Sequence, residues 1–334
     1  MTRPVLVVTS IFGPTATMVA LAEGSDRARF EIVVIGDSKS PSDYQLPGAT
    51  FYSVQAQRDL GFRLGELAPV RHYARKNVGY LLAARQAVPY LIETDDDNLP
   101  RPEFFGPRDR KQYARSVAGA GWVNVYRYFT DAAVWPRGLP LSEVRKPVPE
   151  LATDLAYIDC PIQQGLADVD PDVDAIYRLV GSLPLSFERD LRVGLGAGSW
   201  CPFNSQNTTW FPDAFPLMYL PFHCSFRMTD IWRGFVAQRI AWENGWSVLF
   251  HSPTVWQERN DHDLMRDFEE EVPGYLNNSL IARELESLEL APGLAALGDN
   301  LMSCYDRLVA LELVGPEELT LLEAWNSDFQ AIRS

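Results

Sequence analysis

The strongest constraint on the fold is a set of short, almost continuously apolar runs in the first third of the chain. The runs at 4–8, 30–35 and 88–92 are rich in Val, Ile and Leu, and they are too continuous for strands with one solvent-exposed face. Between them, 15–23 and 74–86 carry apolar residues at helical spacing. This alternation predicts a parallel sheet covered by helices, and hence an α/β fold.

Each of these predicted strands runs into polar residues at its carboxyl end. The first ends at Thr9, the second at 36–39, which includes Asp37 and Lys39, and the third at 93–98. Ligands of open parallel sheets bind beyond the carboxyl ends of the strands. The sequence therefore predicts one crevice in which these polar groups meet.

The third strand end carries three consecutive carboxylates, Asp95, Asp96 and Asp97. In extended geometry Asp95 and Asp97 point to the same side, so both can bind one hard divalent cation such as Mg²⁺ or Mn²⁺. Such an ion keeps coordination positions open for diphosphate oxygens and stabilises a nucleoside diphosphate as leaving group. Asp96 is a further candidate contact to the nucleotide, and His262, in a later acidic segment, is a candidate third metal ligand.

Two other families of acidic motif fit less well. An EF-hand loop that begins at Asp95 requires Gly at its sixth position and Glu at its twelfth, but the chain has Pro100 and Gly106 there. A dehalogenase-like phosphatase usually carries Thr or Val where this chain has Leu99. The nucleotide-binding interpretation of the acidic run is therefore favoured.

A basic pair, Arg75 and Lys76, lies at the start of the helix predicted over 74–86. Free backbone N–H groups at a helix start and nearby cationic side chains together bind anions. Arg75 can clamp a phosphate with two hydrogen bonds, while Lys76 acts as a point charge. The alternative is two solvated residues on a surface helix.

The middle of the chain supplies candidates for sugar chemistry. Asp230 and Trp232 lie at the start of a helix predicted over 230–244. Asp230 can act as a base for a sugar hydroxyl next to Trp232 as a stacking residue, or Asp230 can simply cap the helix. Asn204 belongs to an amide-rich segment, and Arg137 lies in a rigid turn between Pro and Gly. Four further short strands are predicted, at 122–128, 156–160, 208–211 and 246–249.

Composition excludes some classes of partner. The chain has 30 Lys plus Arg against 44 Asp plus Glu, which gives a net charge of −14 and argues against nucleic acid or an anionic membrane surface as partner. The four cysteines have no metal-knuckle spacing, and no apolar stretch is long enough to span a membrane. A cytoplasmic location is therefore expected.

Taken in order, these segments resemble the STELLO-type glycosyltransferases and, more distantly, the reversibly glycosylated polypeptides, which are UDP-arabinopyranose mutases. The resemblance covers about residues 4–256 and includes the segments 36–38, 75–80, 95–97, 134–141, 162–170, 204–208 and 230–234.

The resemblance implies a GT-A-like, Rossmann-like nucleotide-sugar-binding fold with a mixed central sheet. It implies contacts from Thr9, Asp37 and Arg75 to the nucleoside and diphosphate of a donor, expected to be UDP-linked. It also implies that Asp95 and Asp97 hold Mn²⁺ or Mg²⁺.

Further roles follow from the same resemblance. Asp230 matches the position of an acceptor base or sugar contact, and Asp168 is a second candidate base. Arg137 matches the arginine that carries the sugar in the mutase-like relatives. The histidine that follows the Pro-Thr-Val segment in the family is Trp256 in this chain.

The expected organisation is a GT-A-like catalytic domain over 1–262 and a helical region over 263–334, with breaks at 273–274, 292–293 and 315–316. The expected function is metal-dependent transfer of a sugar from a nucleotide sugar to a glycan or other hydroxyl acceptor. Two alternatives are a nucleotide-sugar mutase that glycosylates Arg137 transiently and a catalytically silent sugar-binding or scaffold protein.

Overall fold

A computed structural model describes residues 2–258 and 263–333 of the chain. Its strands are β1 (Val5–Thr9), β2 (Glu31–Ile35), β3 (Ala49–Tyr52), β4 (Leu91–Asp95), β5 (Asn98–Pro100), β6 (Lys111–Val117), β7 (Gly121–Trp122), β8 (Ala156–Asp159), β9 (Ile162–Val169), β10 (Arg192–Leu195), β11 (Ser199–Trp200), β12 (Asn207–Trp210) and β13 (Val248–Gln257).

The α-helices are α1 (Ala16–Ala28), α2 (Val54–Asp59), α3 (Arg63–Leu67), α4 (Lys76–Arg85), α5 (Tyr126–Phe129), α6 (Ala175–Val180), α7 (Thr229–Glu243), α8 (Leu264–Glu286), α9 (Leu297–Ala310) and α10 (Glu318–Arg333). Short 3₁₀ turns cover Tyr73–Arg75, Pro102–Phe105, Pro212–Met218, Phe226–Met228 and Leu294–Ala296.

The central sheet is mixed, which confirms the predicted α/β class. Its path is β3-β2-β1-β4-β12-β9-β13-β10-β6-β8, and β5 pairs with β13 beside that path. The neighbours of β1 on both sides run parallel to it, whereas β12 runs antiparallel to β4 and β9. The N-terminal part of the sheet is thus parallel, and it is extended by a mixed second half.

Strand β1 shows why the apolar runs are continuous. Val5 and Val7 belong to the larger hydrophobic cluster, which includes residues of α4, whereas Leu6 and Val8 belong to a second cluster with residues of α1. Both faces of the strand are therefore buried, as expected for parallel strands between helices.

Several local predictions need correction. The third strand begins at Leu91 and extends to Asp95, three residues later than its apolar run suggested. The segment 122–128 is mostly not a strand, because only Gly121–Trp122 pairs, with β11, and Tyr126–Phe129 is helical. The predicted break at 273–274 does not occur, since α8 continues through Pro273, and a Cβ at Gly274 would overlap the sulfur of Met228 in the packed turn.

The C-terminal helices pack directly onto the sheet domain. Both carboxylate oxygens of Asp328, in α10, accept hydrogen bonds from the first helical N–H groups of α3, at 2.9 Å from Arg63 N and 2.9 Å from Leu64 N. Asp328 therefore caps a helix that is distant in sequence. Among the described residues, no helix is both long and apolar enough to cross a bilayer.

Removing this cap should destabilise the whole chain. We expect Asp328→Ala to lower the free energy of unfolding by about 1–3 kcal/mol, because two buried N–H groups lose their acceptors. Urea denaturation followed by circular dichroism measures this, with Glu323→Ala, an exposed position of α10, as the matched control. Equal losses in the two variants would contradict the capping role.

Candidate functional site

A cleft lies at the carboxyl ends of β1, β2 and β4. It has a first cavity of about 630 Å³, lined among others by Thr9, Asp37 and Asp96, and an adjoining second cavity of about 370 Å³ that contains Asp95 and Asp97. The polar strand ends thus meet at one place, because the parallel strands all end at this edge of the sheet.

The acidic run forms the turn between the two cavities. Asp95 is the last residue of β4, and Asp96 and Asp97 form a turn before β5, so the extended geometry ends earlier than the sequence suggested. The buried ammonium of Lys76 donates to Asp95 Oδ1 at 2.9 Å and to the carbonyl oxygen of Thr94 at 3.0 Å. Lys76 therefore stabilises the acidic turn through these hydrogen bonds, and its ammonium is not available to bind a phosphate.

The other two carboxylates of the turn are held differently. Asp96 accepts a hydrogen bond from Ser10 Oγ at 2.6 Å. Asp97 Oδ2 accepts from Gln257 Nε2 at 3.2 Å, while Asp97 Oδ1 is buried and makes no hydrogen bond to any described residue. A buried carboxylate oxygen without a donor is the most unusual polar group of the cleft.

Burial and mutual repulsion oppose the negative charge of this turn. Burial, followed by repulsion from Asp95, raises the pKa of Asp97 to about 7. Burial also raises the pKa of Asp95, although the Lys76 ammonium acts against the rise, and the charge of Asp230 adds to it. The carboxylates of the turn therefore disfavour one another's ionisation, and a positive charge placed among them would be stabilised.

Asp230 faces this turn from the start of α7 and lines the second cavity. Its carboxylate accepts from Arg137 Nη1 and Nη2, both at 3.1 Å, and from Ser205 N at 3.2 Å. Arg137 also donates to both oxygens of Asp172 at 2.8 Å and to the carbonyl oxygen of Arg227. Burial opposes ionisation of Asp172, but Arg137 outweighs it and lowers the pKa of Asp172.

All five N–H donors of the Arg137 guanidinium are engaged in these hydrogen bonds. The predicted binding residue Asn204 joins the same network, because its Nδ2 donates to Asp172 Oδ2 at 2.7 Å. Arg137 is therefore a buried bridge between two carboxylates.

The basic helix start is built differently from the prediction. Arg75 is buried, with Nε donating to Gln57 Oε1 at 2.8 Å and Nη1 to the carbonyl oxygen of Ala68 at 2.7 Å. Only Nη2 lacks a partner among the described residues, so a two-pronged phosphate clamp is not available in this conformation. Lys39 is exposed and lines the first cavity.

Asp37 also organises the rim of the first cavity. Its two carboxylate oxygens accept from Arg71 N at 2.8 Å and His72 N at 2.9 Å. These hydrogen bonds fix the loop that leads into Tyr73–Arg75, and this is a role that the strand-end pattern alone does not reveal.

Three predicted residues, Lys76, Asp168 and Trp232, lie outside the cavities, and one cannot be placed. Asp168 lines neither cavity, pairs with Arg101 and accepts from Phe187 N at 2.8 Å, so it anchors the fold away from the cleft. Trp232 is 1% exposed, and its indole N–H donates to Asn278 Oδ1 at 2.9 Å, so it cannot stack on a ligand in the cleft. His262 lies outside the described residues.

The sequence analysis missed Arg227, which lines both cavities. Its Nε and Nη2 donate to Glu271 Oε1 at 3.0 and 2.8 Å, and Nη1 makes no hydrogen bond to any described residue. Glu271 is fully buried and also accepts from Ala175 N at 2.8 Å and Tyr275 Oη at 2.6 Å. No sequence spacing points to this pair, because Arg227 and Glu271 come together only when α8 packs.

The sequence itself is similar to proteins of known family. The sequence model of the STELLO glycosyltransferases matches residues 227–334. Two Arabidopsis thaliana proteins, each named as a probable glycosyltransferase, are 32% identical to the chain: STELLO2 over 74% of the chain and STELLO1 over 68%. The chain is thus similar in sequence to STELLO glycosyltransferases over most of its length, and it spans 35% and 32% of the length of these two relatives.

A solved structure, the glucosyl-3-phosphoglycerate synthase of M. tuberculosis, aligns with the chain at a TM-score of 0.41 and 10% sequence identity. The alignment covers 83% of this chain and 80% of the synthase chain.

Proposed function

We propose that the chain is a glycosyltransferase that moves a sugar from a nucleotide-sugar donor to a hydroxyl acceptor, with a divalent cation held by Asp95 and Asp97. The observation that carries the proposal is the acidic turn, in which a buried oxygen of Asp97 has no donor among the described residues and Asp230 lines the same cavity. Similarity to the STELLO glycosyltransferases supports the transferase class.

The side chains of the turn fit a hard cation. Carboxylate oxygens are the ligands that Mg²⁺ and Mn²⁺ prefer, and a cation would oppose the burial and the repulsion from Asp95 that raise the pKa of Asp97. Asp95 and Asp97 would hold the ion, which when bound supplies positive charge to the diphosphate leaving group. Within 2–258 and 263–333 no group of three or more acidic, histidine or cysteine side chains could hold a metal ion, so a cation on Asp95 and Asp97 would need diphosphate oxygens and water as its other ligands.

We assign different parts of the donor to the two cavities. The first cavity has the volume for a nucleoside and is bounded by Thr9 and by the loop that Asp37 fixes. The second cavity, next to the acidic turn, takes the sugar and the diphosphate. Arg227 lines both cavities and lies 4.0 Å from Asp267, and its Nη1 has no hydrogen-bond partner among the described residues, so it can donate to the diphosphate next to the acidic turn.

Asp230 is the residue we assign to the sugar or to the incoming hydroxyl. Its ion pair with Arg137 and the hydrogen bond from Ser205 N fix the carboxylate toward the second cavity. As a fixed carboxylate it orients a hydroxyl group and accepts its proton in an inverting reaction.

The mutase alternative requires Arg137 as a nucleophile. A guanidinium with all five donors engaged by Asp172, Asp230 and a carbonyl oxygen is stabilised as a cation and has no free nitrogen to attack a sugar. The geometry therefore favours direct transfer to an external acceptor.

Incubation with nucleotide sugars labelled in the sugar separates these functions. The proposal predicts labelled free sugar or transferred product in the presence of Mn²⁺, and no label on the protein after denaturation. Label retained on wild type but lost in Arg137→Lys would support the mutase. Absence of binding, hydrolysis and transfer across all donors would support the silent scaffold.

Arg227 should act on the diphosphate alone. We expect Arg227→Lys to weaken binding of a nucleoside diphosphate by about 10 to 100-fold, because one charge-assisted hydrogen bond is lost, while binding of the nucleoside stays within about twofold. Calorimetry with both ligands measures this, and Arg266→Lys, on the same wall but paired only with Glu270 among the described residues, is the control. Equal weakening of nucleoside and diphosphate would point to a misfolded cleft instead.

A further inference from the structure

A side groove of about 480 Å³ opens beyond the acidic turn, next to the second cavity. It is lined by the ring of Phe12, by Thr15 and Thr17 at the start of α1, by Leu99, and by the carboxylates of Asp97 and Glu258, among others. Asp97 lines the groove and the second cavity but not the first cavity. The groove therefore adjoins the second cavity at Asp97.

Phe12 joins all three spaces. It lines the two cavities and the side groove, and it is 54% exposed. The loop that carries it is tied to the acidic turn, since Phe12 N donates to Ser10 Oγ at 3.3 Å and Ser10 Oγ donates to Asp96 at 2.6 Å. Thr15 Oγ1 donates to the carbonyl oxygen of Asp96 at 2.9 Å, which fixes the other end of the loop. An exposed aromatic ring is thus held in place at the point where a donor sugar and a second ligand would meet.

Charge distinguishes the groove from the cavities. Basic side chains, such as Arg71 in the first cavity and Arg178 in the second, line both parts of the cleft assigned to the donor. The residues that line the side groove, among those the structure describes, include carboxylates but no Lys, Arg or His. Glu258, the charged residue of this described lining that does not belong to the acidic turn, would repel a phosphate or carboxylate group. An uncharged hydroxyl compound can donate hydrogen bonds to Glu258 and lay an apolar face on the ring.

We propose that the side groove binds the acceptor, and that the acceptor is an uncharged, hydroxyl-bearing glycan or polyol without phosphate. This inference rests on the proposed transferase function, and it adds the place and the chemical class of the second substrate. Phe12 supplies the stacking face, and the threonine hydroxyls and Glu258 bind hydroxyl groups of the ligand.

The test compares neutral methyl and aryl glycosides with the matching sugar phosphates as acceptors, using the donor whose hydrolysis the wild-type chain catalyses. We expect transfer to neutral glycosides only. Phe12→Ala should raise the acceptor KM about tenfold or more, and Phe12→Tyr should restore it. Thr17→Val, at a position that lines the groove and neither donor cavity, should also raise the acceptor KM, while donor hydrolysis and nucleotide affinity stay within about twofold. Glu258→Lys should shift the ratio of rates toward the sugar phosphates.

The possible results distinguish failure of the groove assignment from failure of the proposed transferase function. Transfer to sugar phosphates in preference to neutral glycosides, transfer to neither series, or an unchanged acceptor KM in Phe12→Ala would overturn the groove assignment while donor hydrolysis still supports the transferase. Loss of nucleotide binding in Thr17→Val would also count against it, because the groove would then serve the donor. A wild-type chain that neither binds nor hydrolyses any donor would instead refute the proposed function.

Discussion

Replacing Asp95 and Asp97 together by Asn should weaken metal-dependent binding of a nucleoside diphosphate by about 100-fold or more. The amide side chains keep the shape of the turn but remove the two charges that would hold the cation. A 100-fold loss corresponds to about 2.7 kcal/mol of binding free energy. Calorimetric titration with and without Mn²⁺ measures the effect.

The matched control removes the same net charge elsewhere. Asp26 and Asp43 are exposed and do not line the cavities or the groove, so their double replacement by Asn should leave nucleotide affinity unchanged. If both double variants bound nucleotide as wild type does, the acidic turn would not be the metal site.

Replacing Glu93 by Gln is expected to be the most destabilising single change in the sheet, at about 3–5 kcal/mol. Glu93 is fully buried in β4, and its carboxylate accepts from Arg233 Nη2 at 2.9 Å, from Trp210 Nε1 at 2.8 Å and from the hydroxyl of Tyr80. Removal of one partner leaves the charge of Arg233 buried and uncompensated. Chemical denaturation gives the free energy of unfolding.

A double variant separates this effect from simple loss of packing. Glu93→Gln combined with Arg233→Met removes both charges, and we expect it to recover at least half of the lost stability. If the double variant is instead less stable than wild type by the sum of the two single effects, the two charges do not stabilise each other.

This ion pair also matters for the site. Glu93 lies two residues before Asp95, and Arg233 lies three residues after Asp230. The pair therefore joins the two elements that present the acidic turn and the opposite carboxylate. The buried charges are far better explained by this connection than by a net gain in stability, because a hydrophobic pair of similar volume usually stabilises as much.

The part of the fold that could be predicted from the sequence is the part with simple periodicity. Runs buried on both faces identified β1, β2 and β4, and the polar residues after them identified the cleft, since strand direction alone decides where those residues meet. The helix that begins near Asp230 followed from its apolar spacing.

The central strand β9 was missed because its sequence is polar. Gln163 and Gln164 are buried there, and their side chains bond to the backbone: Gln163 Nε2 donates to the carbonyl oxygen of Asp109 at 2.8 Å, and Gln164 Oε1 accepts from Asn204 N at 2.9 Å. Hydropathy does not show such pairing, because it depends on contacts that are distant in sequence.

The same limit applies to the site residues. Asp168 and Trp232 have the right chemistry for a base and a stacking platform, but their side chains are directed to Arg101 and Asn278. Arg227 was overlooked because its role depends on Glu271, which only the packing of α8 brings near. The sequence shows which chemistry each of these side chains can supply, but it does not show where the side chain points.

The most direct test of the central claim is a calorimetric titration of the wild-type chain with a series of nucleoside diphosphates, first in Mn²⁺ and then in excess chelator. The account predicts saturable binding of one nucleotide per chain in Mn²⁺, a loss of about 100-fold or more in chelator, and the same loss in the Asp95→Asn, Asp97→Asn double variant. Binding that is equally tight in chelator, or no binding of any nucleoside diphosphate in Mn²⁺, would contradict it.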